Sequence, residues 1–134
     1  MAVMTTTHIF SILGDESTKD IFDLIAKGYE TDGLSVKSRL QLTRKQYYSK
    51  FSKLIEAGLV AKAKRRYYVT SLGKVCYHSS ILIEAALSIH WKLKAVDNIK
   101  SIDKVMPHEE KTQLLNMLID NTEIRNLLCT ATNC

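Results

Sequence analysis

The side chains of this chain that could do chemistry are hydrogen-bond donors set close together. In the stretch Leu42–Val60, "LTRKQYYSKFSKLIEAGLV", Arg44, Lys45, Gln46, Tyr48, Ser49 and Lys50 follow one another within about two helical turns. A guanidinium forks onto guanine O6 and N7, and a carboxamide onto adenine N6 and N7. Arg44 and Gln46 are therefore candidates for reading base edges. Tyr48 and Ser49 suit a phosphate oxygen or a thymine methyl, and Lys45 and Lys50 supply point charges for phosphates.

The surrounding charge points the same way. From Ser35 to Lys74 there are eleven basic residues (Lys37, Arg39, Arg44, Lys45, Lys50, Lys53, Lys62, Lys64, Arg65, Arg66, Lys74) against one acid, Glu56, a net of +10. The rest of the chain holds eight basic and thirteen acidic residues, a net of −5. Solvated surfaces ordinarily mix both signs, so a one-signed segment predicts a polyanionic partner. Nucleic acid is favoured over an anionic membrane, because the cations do not border a bulky apolar helix face left free for lipid.

Enzyme chemistry is not expected. No GxGxxG, GKS/T, HExxH or GxSxG occurs, and no nucleophile, base and stabiliser can be seen to converge. Cys76, His78 and His90 come nearest to a metal set. His78 and His90 are twelve residues apart, about 120° around a helix, so their ligation would need two subunits. No metal and no cofactor are predicted. Cys76, Cys129 and Cys134 are odd in number and lack CxxC spacing, as expected of reduced thiols.

These side chains must be positioned by elements that the apolar spacing predicts. With 134 residues, 46% hydrophobic and 25% charged, the chain suits one compact domain with a small appendage, and one Pro with five Gly favours helix. Ser17 can cap a first helix to about Tyr29, carrying Ile21, Phe22, Leu24 and Ile25 on one face. A short apolar turn holding Ile9, Phe10, Ile12 and Leu13 precedes it, and the loop "ETDG" and a short helix over Leu34–Leu40 follow. Thr43 and Gln46 form a capping box for a helix over about 43–57, which Gly58 ends. Its core stripe is expected to be Tyr47, Phe51, Leu54 and Ile55. Val60–Ala63 and Arg66–Thr70 read as a hairpin with a basic tip that, lacking Gly, is not expected to be a tight Asn-Gly turn.

One long helix is then predicted from Leu72 to about Lys100, because Val75, Leu82, Ala86, Ile89, Leu93 and Val96 recur at heptad-like spacing. Those six are the candidate dimerisation residues. Pro107 suits the start of a further helix, and Asn121 can cap a last one. No apolar run approaches the roughly 20 residues of a membrane span, and the start "MAVMTTTHIF" lacks a secretory pattern, so a cytoplasmic chain is expected.

The order helix, short helix, capped helix, hairpin, long helix resembles a winged helix-turn-helix domain. "LTRKQYYSKFSKLIEAGLV" is similar to the recognition-helix segment of ArsR-like and MarR-like regulators, and "YYVTSLGK" looks like the end of their wing. With "HWKLKAVDNIK" downstream, the chain looks most like archaeal winged-helix transcription regulators over about Ser17–Lys100. The resemblance implies a mainly α fold with a small β-hairpin wing. A DNA-binding domain is expected at 15–74 and a helical dimerisation and C-terminal region at 75–134, of which the residues after about Lys100 lie outside the resemblance. The resemblance further implies a homodimer on double-stranded DNA, with the helix at about 43–57 in the major groove. The wing at about 60–70 would carry Lys62, Lys64, Arg65 and Arg66 along phosphates or into the minor groove, supported by Lys37 and Arg39. The C-terminal helices would extend the dimer interface or receive an effector or protein partner. The rival reading is a winged-helix module that binds acidic protein instead of DNA, and a third is RNA binding.

Overall fold

The computed structural model describes residues 4–28, 40–101 and 107–132. Among these residues the chain is mainly helical, with seven helices and one antiparallel hairpin. They run α1 (Thr6–Leu13), α2 (Glu16–Ala26), α3 (Arg44–Glu56), β1 (Val60–Ala63), β2 (Arg66–Val69), α4 (Ser71–Ser88), α5 (His90–Ser101), α6 (His108–Leu118) and α7 (Thr122–Thr132). The "ETDG" loop, Tyr29, Lys37, Arg39, Cys134 and all of the expected second helix except Leu40 lie outside the described residues. Leu40 packs against the core, and Gln41 after it is left-handed, with φ 54°. Contacts divide the chain into two compact units, Met1–His78 and Ser79–Cys134.

In the first unit the apolar spacing of α2 and α3 builds the core. Ile21, Phe22 and Ile25 meet Tyr47, Phe51 and Leu54, with Ile12 from α1 and Ala57, Leu59 and Val60 beyond α3. Burying a side chain such as Leu54 stabilises by about 1.5–3 kcal/mol. The segment before α2 is a full helix rather than one turn, capped by Thr5. Asp15, not Ser17, caps α2: its carboxylate accepts from the Thr18 backbone N–H at 3.1 Å and from the Thr18 hydroxyl at 2.6 Å. A carboxylate satisfies both donors and favours the positive helix end, an advantage the Ser17 hydroxyl lacks.

The joint between α3 and the hairpin is closed by glycines and one threonine. Gly58 takes φ 77°, and the N–H groups of Gly58 and Leu59 donate to the carbonyls of Ile55 and Leu54, terminating α3. Thr70 donates its hydroxyl to the Gly58 carbonyl at 2.5 Å and accepts from the Gly73 N–H at 3.0 Å, tying the end of α3 to the start of α4. A Cβ on Gly73 would lie 2.2 Å from the Leu59 carbonyl oxygen, so the "TSLG" stretch is a packing requirement.

In the second unit Val96, Leu115, Ile119 and Ile124 form a core flanked by Leu82, Ala85, Ala86, Ile89 and Leu93. Asn121 caps α7 by accepting from the Ile124 N–H at 3.1 Å. The expected single helix over Leu72–Lys100 is two helices, interrupted at Ile89. The Ser88 hydroxyl donates to the Ala85 carbonyl at 2.7 Å, and the Ile89 N–H reaches Ala86. Such back-bonding with a tighter turn interrupts a helix that apolar spacing alone would continue. No helix among the described residues is long and apolar enough to cross a membrane.

Candidate nucleic-acid interface

The N-terminal end of α3 is fixed by its cap. The Thr43 hydroxyl accepts from the Gln46 N–H at 3.2 Å, and the Gln46 carboxamide oxygen accepts from the Thr43 N–H at 3.0 Å. This holds Arg44 and Lys45 in the first turn, both exposed and with no acid in that turn. Cations at the positive end of a helix dipole are unfavourable by about 0.3–1 kcal/mol each, and an anion bound there relieves both repulsions. Gln46 is less free than its type promises, since its oxygen already serves the cap and its Nε2 donor is what remains for a ligand.

At about 100° per residue, Lys45, Ser49 and Ser52 point away from the buried stripe. Arg44, Tyr48 and Ile55 form the flank next to Phe51, and Gln46, Lys50 and Lys53 the other. Ile55 is 41% exposed instead of joining the core, because the stripe closes through Tyr47, Phe51 and Leu54 and leaves it on the Arg44 side.

The two flanks differ in charge. Lys50 reaches Asp15, its Nζ 2.7 Å from Oδ2. That ammonium, with the Thr18 hydroxyl and N–H behind it, holds the Asp15 carboxyl well below the usual carboxylate range. Lys53 lines a shallow cleft with His8, Asp15 and Glu56. This side is therefore mixed in sign, and Lys50 is committed within the chain. No local signal could have linked it to Asp15, thirty-five positions earlier.

The hairpin stands against the other flank. Phe51 meets Tyr67 with ring centroids 4.0 Å apart, and Tyr67 edges into the core while Tyr68 on the opposite face is exposed. Val60 pairs with Val69, Lys62 with Tyr67 and Ala63 with Arg66, so Lys62 and Arg66 lie on opposite faces. Lys62 covers the Tyr67 ring, its Nζ 5.5 Å from the centroid. The tip is a tight two-residue turn after all: Lys64 and Arg65 both adopt left-handed φ, 48° and 69°. The strand twist selects this turn even without Gly or Asn in it.

Arg44, Lys45 and the hairpin cations are thus exposed on α3 and β1–β2, whereas Lys50 is held by Asp15 and Lys37 and Arg39 lie outside the described residues. Of the expected dimerisation residues, Val96 is buried and Leu82, Ala86, Ile89 and Leu93 pack onto the second unit's own core, while Val75 is exposed. Ile83, Leu87 and Trp91 are 52%, 68% and 65% exposed. Among the described residues no group of three or more His, Cys, Asp or Glu could hold a metal ion. No protein-family model, curated protein or solved structure matches the chain.

Proposed function

We propose that the chain is a sequence-specific, double-stranded DNA-binding transcription regulator of the winged helix-turn-helix type, with α3 as recognition helix and β1–β2 as wing. The observation that carries this reading is the start of α3, where Arg44 and Lys45 are exposed at a capped helix end with no acid in the first turn. A major groove about 12 Å wide admits one helix, whose N-terminal turns reach base edges. Arg44 reads guanine, Lys45 and Ser49 meet phosphate, Tyr48 meets phosphate or a thymine methyl, and Gln46 contributes its free donor. The cationic wing runs along the flanking backbone. Lys50 leaves the contact set and becomes a positioning residue.

The regulator acts as a homodimer on a palindromic site whose half-sites lie about one helical turn apart. With Leu82, Ala86, Ile89, Leu93 and Val96 facing the chain's own core, we place the two-fold contact on Ile83, Leu87 and Trp91. The test is titration of random-sequence duplex against the purified protein at two salt concentrations. Binding must weaken steeply with salt, because every neutralised phosphate releases counterions. The rival, a module for acidic protein partners, is favoured by the exposure of Tyr48, Ile55 and Tyr68 beside the cations. Absence of duplex binding even at low salt would select it.

A further inference from the structure

Three helices of the first unit leave between them a shallow cleft of about 310 Å³. His8, Ser11 and Ile12 line it from α1, Asp15 and Thr18 from the start of α2, and Lys53 and Glu56 from the C-terminal end of α3. Ile12 and Thr18 are buried beneath it, and the other five side chains are exposed around it. The volume lies at the small end of the roughly 300–1,000 Å³ over which proteins hold small ligands.

The charged groups of the cleft are poorly matched within the chain. Lys53 and Glu56 stand about one turn apart on α3, yet they pair neither with each other nor with any other described residue. Lysine N-terminal to glutamate is the poorer order for a pair on one helix. Asp15 receives the Thr18 N–H, the Thr18 hydroxyl and the Lys50 ammonium all on Oδ2. Its Oδ1 accepts nothing among the described residues, where the His8 ring and the Ser11 hydroxyl are equally without a partner.

The signs of these groups decide what fits. Carboxylates at Asp15 and Glu56 disfavour a phosphate or a nucleic-acid backbone, and the Lys53 ammonium disfavours a simple amine. A metal ion is not accommodated, since no three acids, histidines or cysteines among the described residues could hold one. A zwitterion answers both signs. Side chains three apart on a helix have Cβ atoms about 5–6 Å from each other, close enough for one carbon bearing an ammonium and a carboxylate to bridge their charges.

We propose that this cleft binds a free α-amino acid, its carboxylate on Lys53 and Ser11, its ammonium on Glu56 and Asp15, and its side chain over Ile12. Asp15 also holds α3 through Lys50, so an occupied cleft acts on the orientation of that helix. An effector role in DNA binding rests on the function proposed above; the site itself does not.

Each standard α-amino acid is titrated into the full-length protein by calorimetry, with the N-acetyl and methyl ester forms of any that binds. At least one is expected to bind saturably with a Kd of about 5 mM or tighter, as suits so small a ligand. Both blocked forms, which test the two charges on the unaltered chain, should bind about tenfold more weakly or worse. Lys53→Met and Glu56→Gln should weaken binding about tenfold each while melting as the wild type does, because neither side chain has a described partner to lose. No saturable binding by any amino acid, blocked forms that bind equally, or variants that bind as the wild type does would overturn the proposal. Random-sequence duplex binding is then read with and without the bound amino acid. A shift of about fivefold or more supports the effector role, and an unchanged duplex affinity overturns that role. Amino-acid binding by a protein that binds no duplex overturns the DNA reading and leaves the site standing.

Discussion

Lys50, midway along α3, reaches across to Asp15, the residue that caps α2, with 2.7 Å between Nζ and Oδ2. One carboxylate thereby closes the first turn of α2 and sets α3 against it. The orientation of the proposed recognition helix depends on this pair as well as on the apolar stripe beneath it.

Asp15→Ala should destabilise the protein by about 1 kcal/mol through loss of the cap. Because the folded carboxyl lies below its ordinary range, its contribution is complete above the unfolded pKa of about 3.9 and is lost as pH falls from there through the folded value. Melts of wild type and variant from pH 7 downward should therefore converge in acid. Lys50→Ala should lower the melting temperature while leaving the salt slope of DNA binding almost unchanged, whereas Lys45→Ala should reduce that slope by about 1. A similar slope loss for both would return Lys50 to the contact set.

Gln46→Glu separates cap from contact. Glutamate closes a capping box as well as glutamine does and suits the helix dipole, so the melting temperature should hold or rise. The added negative charge should nevertheless weaken duplex binding. Unchanged affinity in the variant would remove the α3 N-terminus from the interface.

Gly73→Ala places a Cβ 2.2 Å from the Leu59 carbonyl oxygen and 2.6 Å from a Val69 methyl. Backbone cannot yield as a flexible side chain does, and the expected loss is about 1–3 kcal/mol or more in denaturant titration. A neutral result would contradict the close approach of α4 to β1–β2.

Trp91→Glu tests the proposed two-fold contact. Since Trp91 is exposed, the fold should survive and circular dichroism should be unaltered, while sedimentation should shift from dimer to monomer. A variant that remains dimeric would move the contact elsewhere.

Where local chemistry decided the structure, the residues announced it. Thr43 with Gln46 and Gly58 bound α3, and alternation separates Tyr67 from Tyr68, because caps and strand faces depend on near neighbours. Competing local signals were harder to rank: "DEST" offers several capping groups, and the double acceptance by Asp15, with the negative charge it brings to the helix end, favours it over Ser17. The break at Ile89 was hidden because apolar spacing runs through it undisturbed, while one hydroxyl of Ser88 redirects a carbonyl. Heptad spacing predicted a buried face over Leu82–Val96 but not what would cover it, and α6 and α7 of the same chain do. The Lys50–Asp15 pair had no local signature at all, which is why Lys50 read as one more free cation.

The most direct measurement follows duplex binding by wild type, Arg44→Ala and Lys64→Ala across a selected operator and random DNA as salt is raised. Arg44→Ala should lose about 1–3 kcal/mol on the operator alone, relaxing sequence preference, while Lys64→Ala should weaken every duplex alike. Equal losses on all sequences for both variants, or a wild type indifferent to duplex at low salt, would contradict the account.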